Sequence, residues 1–155
     1  GTTVLTLNPF SAETEPLDAW TSEDEKAYIS IPYDHEGDTK PAAELLNTYI
    51  GKHISDGSVV VFGHSSNGAQ VVTRWLLDYA DASDFPADRL TFVTTSTSVE
   101  LPTVSDRRPW TPEPTYMVGG FPVLELRDSD GWCQWAHDPD VFELITRMFV
   151  MSREK

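Results

Sequence analysis

The sharpest chemical signal in the chain is Gly63-His64-Ser65-Ser66-Asn67-Gly68-Ala69. It follows the apolar, β-branched run Ser58-Val59-Val60-Val61-Phe62 and precedes a helical pattern. A strand, a tight turn bearing serine and a helix together form the setting of a nucleophile elbow. The turn lifts a hydroxyl out at the edge of a sheet. The helix start behind it offers free N–H groups and partial positive charge, which stabilise the oxyanion of an acyl-transfer transition state. The match to G-x-S-x-G is inexact. With Ser65 as nucleophile the fifth position is Asn67; with Ser66 it is Gly68, but the first is then His64. Ser65 is favoured, because Gly63 ends the strand at the proper offset and Asn tolerates unusual backbone angles. The competing structural reading is a Gly/Ser/Asn turn that only caps a helix.

A serine hydroxyl needs a base, and the chain has four histidines: His35, His53, His64 and His137. His64 adjoins the nucleophile, and neighbouring side chains on a tight turn point apart. His53 closes a helical pattern on its polar face and suits a helix C-terminus. His35 lies in Tyr33-Asp34-His35-Glu36-Gly37, after the second strand, and His137 stands just before the last helical pattern. Acidic residues in Arg127-Asp128-Ser129-Asp130-Gly131 follow a later strand. Serine, then Asp128 or Asp130, then His137 is the usual hydrolase order on α/β sheets. The carboxylate would hold the imidazole in the right tautomer and stabilise its cation. An Asp-rich turn explains the same residues without chemistry.

No other chemistry competes. The histidines have no paired metal-ligand spacing, and Cys133 is the single cysteine, so neither a metal site nor an internal disulfide is expected. No P-loop and no dinucleotide Gly-rich turn is present, so no cofactor is expected. With 11 basic and 25 acidic residues the net charge is −14. That surface repels phosphate backbones and argues against nucleic-acid partners and polybasic membrane patches. No window reaches the roughly 20 apolar residues of a membrane span. Gly1-Thr2-Thr3-Val4 has no basic n-region and no starting Met, which suggests a signal peptide absent or already removed, or a processed product.

The elements that must position these residues are legible as alternation. The 155 residues fit one domain, 1–155. Strands are expected at Val4–Leu7, Tyr28–Ile31, Ser58–Phe62, Leu90–Thr95 and Pro122–Leu126. A helix capped by Thr39 should span about 40–54, with Ala42, Leu46, Tyr49 and Ile50 on one face. A second should follow Ser66, with Ala69, Val72, Leu76 and Ala80 inward. A third, about 138–150, opens on Asp138-Pro139-Asp140 and carries Val141, Phe142, Ile145, Met148 and Phe149. This alternation predicts an α/β fold, a three-layer α/β/α sandwich on a five-stranded, mainly parallel sheet in the order 2-1-3-4-5. Ligands in such sheets sit at the carboxyl edge. The acidic stretch 11–26 reads as a loop or short surface helix, and 103–121 as a long loop. Trp110, Tyr116, Met117 and Phe121 there could form an acyl-binding surface or simply pack in the core.

Residues 28–150 resemble the cutinase-like serine hydrolases, in particular the PE-PPE-type hydrolase domain of mycobacteria and its relatives. Ile31-Pro32-Tyr33 is similar to the family's Tyr-Pro segment after its second strand. Val60-Val61-Phe62-Gly63-His64-Ser65-Ser66-Asn67-Gly68-Ala69 resembles its strand and elbow. Pro86-Ala87-Asp88-Arg89-Leu90-Thr91-Phe92-Val93 resembles the opening of its next strand, and Asp130-Gly131-Trp132 its Asp-Gly-Trp. The resemblance implies Ser65 as nucleophile, Asp130 as triad acid and His137 as base. It implies an oxyanion hole from the Ser66 N–H and the loop after the first strand, Asn8 to Phe10, with Pro9 and Phe10. Asn67 departs from the family's Gly or Ser, the PE-PPE pattern keeps its histidine farther downstream, and cutinases carry disulfides. The implied activity is a serine esterase acting on lipid or cell-envelope esters, in a secreted, envelope or virion-associated setting, alone or as a homo-oligomer. The alternative is a hydrolase-like module without catalysis, used for binding or assembly, for example on an actinobacterial phage tail or virion. A flavodoxin-like binding domain is a third reading, for which Asn8-Pro9-Phe10 makes a poor phosphate loop.

Overall fold

The computed structural model describes residues 1–7, 26–63, 67–95 and 116–126. Within them lie six strands: β1 Thr2–Leu7, β2 Lys26–Ser30, β3 Ser58–Gly63, β4 Leu90–Thr95, β5 Tyr116–Val118 and β6 Phe121–Leu126. Two helices join them, α1 Thr39–His53 and α2 Asn67–Tyr79. A single 3₁₀ turn, Ile54–Asp56, leads from α1 into β3. The sheet runs β2-β1-β3-β4-β6-β5, parallel throughout except for β5 against β6. The expected order of five strands is therefore present, with β6 as its fifth member.

The sixth strand corrects the reading of 103–121 as loop alone. Gly119 and Gly120 both have positive φ, 58° and 83°, and form a two-residue link between β5 and β6. Only such a turn matches the twist of tightly joined antiparallel strands, and glycine adopts it without steric cost. Pro122 stands one residue before the β4–β6 ladder begins at Val123, where its missing N–H costs no ladder bond. Phe121 is 1% exposed and packs at 5.5 Å on Trp75, so it belongs to the core and not to an acyl-binding surface.

Both described helices lie on one face. The crossover β2–α1–β3 and the crossover β3–α2–β4 advance in the same direction across the sheet, so one handedness puts both helices on the same side. Trp75 of α2 accordingly donates its indole N–H to Asn47 Oδ1 of α1, at 3.0 Å. On that face Leu5, Leu7, Val59, Val61, Leu90, Phe92 and Val123 meet Ala42, Leu46, Ile50, Val72 and Leu76. The inward faces expected of both helices are the observed ones, and Tyr49 packs against the core partly buried. The first helix begins one residue earlier than expected. Asp38, not Thr39, is its N-cap, accepting from the Lys40 N–H at 3.0 Å. A carboxylate there also meets the positive end of the helix, and Pro41 falls in the first turn, where no donor is needed.

The opposite face is buried as well, at Val4, Val60, Phe62, Val93 and Leu124. That is why β3 reads as an unbroken apolar run and not as an alternation. The third expected helix, 138–150, lies outside the described residues.

Trp75 is fully buried and stacks or tilts against Tyr79, Phe85, Phe92 and Phe121. Trp75→Ala should lower stability by about 3–5 kcal/mol, read from the urea midpoint at unchanged slope.

Candidate functional site

The carboxyl edge of the sheet carries a row set by strand register: Leu7, Gly63, Thr94 and Glu125 stand side by side. Strand β3 ends at Gly63 and α2 begins at Asn67, so three residues, 64–66, make the whole turn. Two glycines permit so short a turn. A Cβ on Gly63 would lie 2.6 Å from the Gly68 carbonyl oxygen and 2.8 Å from Val72 Cγ2. A Cβ on Gly68 would run into the carbonyl of Leu7. The start of α2 is thus pressed against the ends of both β1 and β3, a spacing that a side chain at either glycine would abolish. Its first N–H groups open on that edge, the arrangement that favours a developing anion.

A loop after β2 adjoins the turn. The Ile31 N–H extends the ladder to the Thr6 carbonyl at 2.9 Å, and the Tyr33 N–H closes back on the Ile31 carbonyl at 3.0 Å. Pro32 occupies the centre of that three-residue turn, an inverse γ-turn by its bonding. Asp34 Oδ1 then accepts from the Glu36 N–H at 3.0 Å, and its carboxylate occupies the space a side chain on Gly37 would need. His35 sits inside this turn. Its ring lies 4.4 Å from that of Tyr33, tilted by 48°. Its carbonyl accepts from the Asn67 side-chain amide, which ties the loop to the first residue of α2. His35 Nε2 is buried and has no hydrogen-bond partner.

Burial pushes the Tyr33 phenol up to about 12. Tyr33 is 5% exposed, so the ring beside His35 is apolar and uncharged at neutral pH. Two further buried polar groups line the edge. Thr94 Oγ1 has no partner, and Glu125 is 4% exposed.

Ser65, Ser66, Asp128, Asp130, His137, Pro9 and Phe10 lie outside the described residues. Their positions in the chain follow from the flanking elements. Ser65 is the middle of the three turn residues. Pro9 and Phe10 come two and three residues after β1, and Asp128 and Asp130 two and four after β6. Pro9 has no N–H, so of that pair only Phe10 can donate to an oxyanion. His53 is removed from the site, because α1 carries the chain about 20 Å from the carboxyl edge to the opposite one. Asn67 was expected to serve through its backbone freedom. Instead it is helical, and its side chain is the useful part. Glu125 and Thr94 were legible only as strand residues, since neither type nor spacing marks a strand end as a site.

Nothing among family models, curated proteins or solved structures matches this chain. Among the described residues, no helix is long and apolar enough to cross a membrane.

Gly68→Ala should cost about 1–3 kcal/mol, because the new methyl must displace either α2 or β1; chemical denaturation measures it. Alkaline titration followed by tyrosine absorbance should show one of the five tyrosines ionising near 12. The folded value lies above the ordinary 10, so the stability Tyr33 contributes is complete below about pH 10 and is lost as pH rises toward 12. Tyr33→Phe should remove that component of the pH–stability curve.

Proposed function

We propose that this chain is a serine acyl hydrolase of the cutinase-like kind, cleaving carboxylic esters through an acyl-enzyme. One observation carries the reading: three residues centred on Ser65 join a doubly buried strand to a helix, with glycines at 63 and 68 allowing the close approach. That is the local architecture a nucleophile elbow requires. The six-stranded, mostly parallel sheet with its helices supports the same reading. The three-layer form follows if 138–150 covers the second face, whose side chains are buried in the protein.

In this reading the Ser65 hydroxyl oxygen bonds to the ester carbonyl carbon as an imidazole takes its proton. The Ser66 and Phe10 N–H groups hold the oxyanion. The carbon–oxygen bond to the alcohol breaks, and the imidazolium protonates the departing oxygen. Water then adds to the acyl carbon, gives up its proton to the imidazole, and the acid leaves as Ser65 regains a proton. Chain order assigns Asp130 as the orienting carboxylate, with Asp128 its near neighbour, and His137 as the imidazole. An apolar acyl group of lipid or cell-envelope origin is the proposed substrate class.

A fluorophosphonate probe should label the wild-type protein, and Ser65→Ala should abolish the label together with hydrolysis of short-chain nitrophenyl esters. A folded protein that takes no label and cleaves no ester favours instead the binding or assembly module.

A further inference from the structure

His35 carries more chemistry than a loop histidine needs. Its Nε2 is withdrawn from water and bonded to nothing, although an unpaired buried polar nitrogen costs about 1–3 kcal/mol. The surrounding loop is built to hold it there. Asp34 fixes the turn through the Glu36 N–H, Gly37 leaves room for that carboxylate, and the Tyr33 ring supports one side of the imidazole. The Asn67 amide then pins the His35 carbonyl to the start of α2.

That last bond sets the distance to the elbow. Asn67 is two residues beyond Ser65, and two residues span at most about 7 Å. An Asn amide bonded to a carbonyl holds the two Cα atoms within about 9 Å. The His35 backbone is therefore fastened beside the turn that carries Ser65, at the same carboxyl edge, with an imidazole nitrogen lacking an acceptor or donor. None of the other described histidine positions offers this, since His53 closes α1 at the far edge.

We infer that His35 is the proton acceptor for Ser65, in the role that chain order gives to His137. The inference rests on the acyl-hydrolase reading. Nε2 takes the Ser65 hydroxyl proton as the oxygen bonds to the carbonyl carbon, and returns it to the alkoxide as the alcohol leaves. It then takes a proton from the incoming water, and returns it to Ser65 as the acid departs. The Tyr33 phenol, un-ionised beside the ring, adds no charge to the pair. Asn67 is a positioning residue, acting through the backbone of His35.

Labelling rates with a fluorophosphonate test this directly. His35→Gln should react at least 100-fold more slowly than wild type, the lower range for loss of a general base. Added imidazole should restore part of the rate to His35→Ala. Asn67→Ala should slow labelling less, through misplacement of the loop. If His35→Gln labels at the wild-type rate while His137→Gln loses it, the inference is overturned and the acyl-hydrolase reading stands. A wild-type protein that takes no label overturns that reading. Ring-nitrogen NMR of His35 in wild type and Ser65→Ala decides the pairing in either case, including when the His35 variants do not fold. A changed Nε2 resonance on loss of the hydroxyl supports the contact, and an unchanged one sinks it.

Discussion

Contact between the Gly68 backbone and the Leu7 carbonyl fixes where α2 can begin. Because the helix starts hard against β1, its axis lies close over β1, β3 and β4, and Trp75 two turns later reaches the centre of that face. There it meets Phe92 and Phe121 from the sheet and Asn47 from α1. A wider separation at residue 68 would lift the whole helix, loosen the aromatic cluster and lengthen the turn that holds Ser65. Packing of the core and shape of the edge are thus one constraint expressed twice.

Much of this was legible in the residue pattern, for a physical reason. Strands buried on both faces announce themselves as apolar runs, as Val59 to Phe62 do, and helices with one buried face keep the i, i+4, i+7 spacing seen in Ala42, Leu46 and Tyr49. Strand order followed from the handedness of crossovers. The β5–β6 hairpin was missed because its signal is two glycines inside a long polar stretch, with only three residues of strand ahead of them. The cap moved from Thr39 to Asp38 because both residue types cap well and only the backbone decides between them.

The candidate site was legible more unevenly. The turn around Ser65 stands out because glycine and serine between strand and helix have few other uses. The link from Asn67 to His35 does not, because a side chain bonded to a backbone carbonyl 32 residues away leaves no periodic trace. His35 looked like any loop histidine until the buried Nε2 and the built turn around it were seen together. Order along the chain drew attention to His137, whereas proximity across the sheet edge draws it to residue 35. The two criteria weigh different things: chain order records how folds of this kind are usually wired, and tethering records what this loop has been shaped to hold.

Strand β5 has a bearing on how the molecule behaves at high concentration. It closes one side of the sheet with a run only three residues long, turned antiparallel to the rest. An unpaired strand border is a template on which a neighbouring molecule can add its own backbone, and long flat borders nucleate fibrils. So brief a border offers few hydrogen-bonding groups for such growth, and a net charge of −14 keeps like molecules apart. Resistance to edge-on polymerisation is thereby written into the same hairpin that delivers Phe121 to the interior.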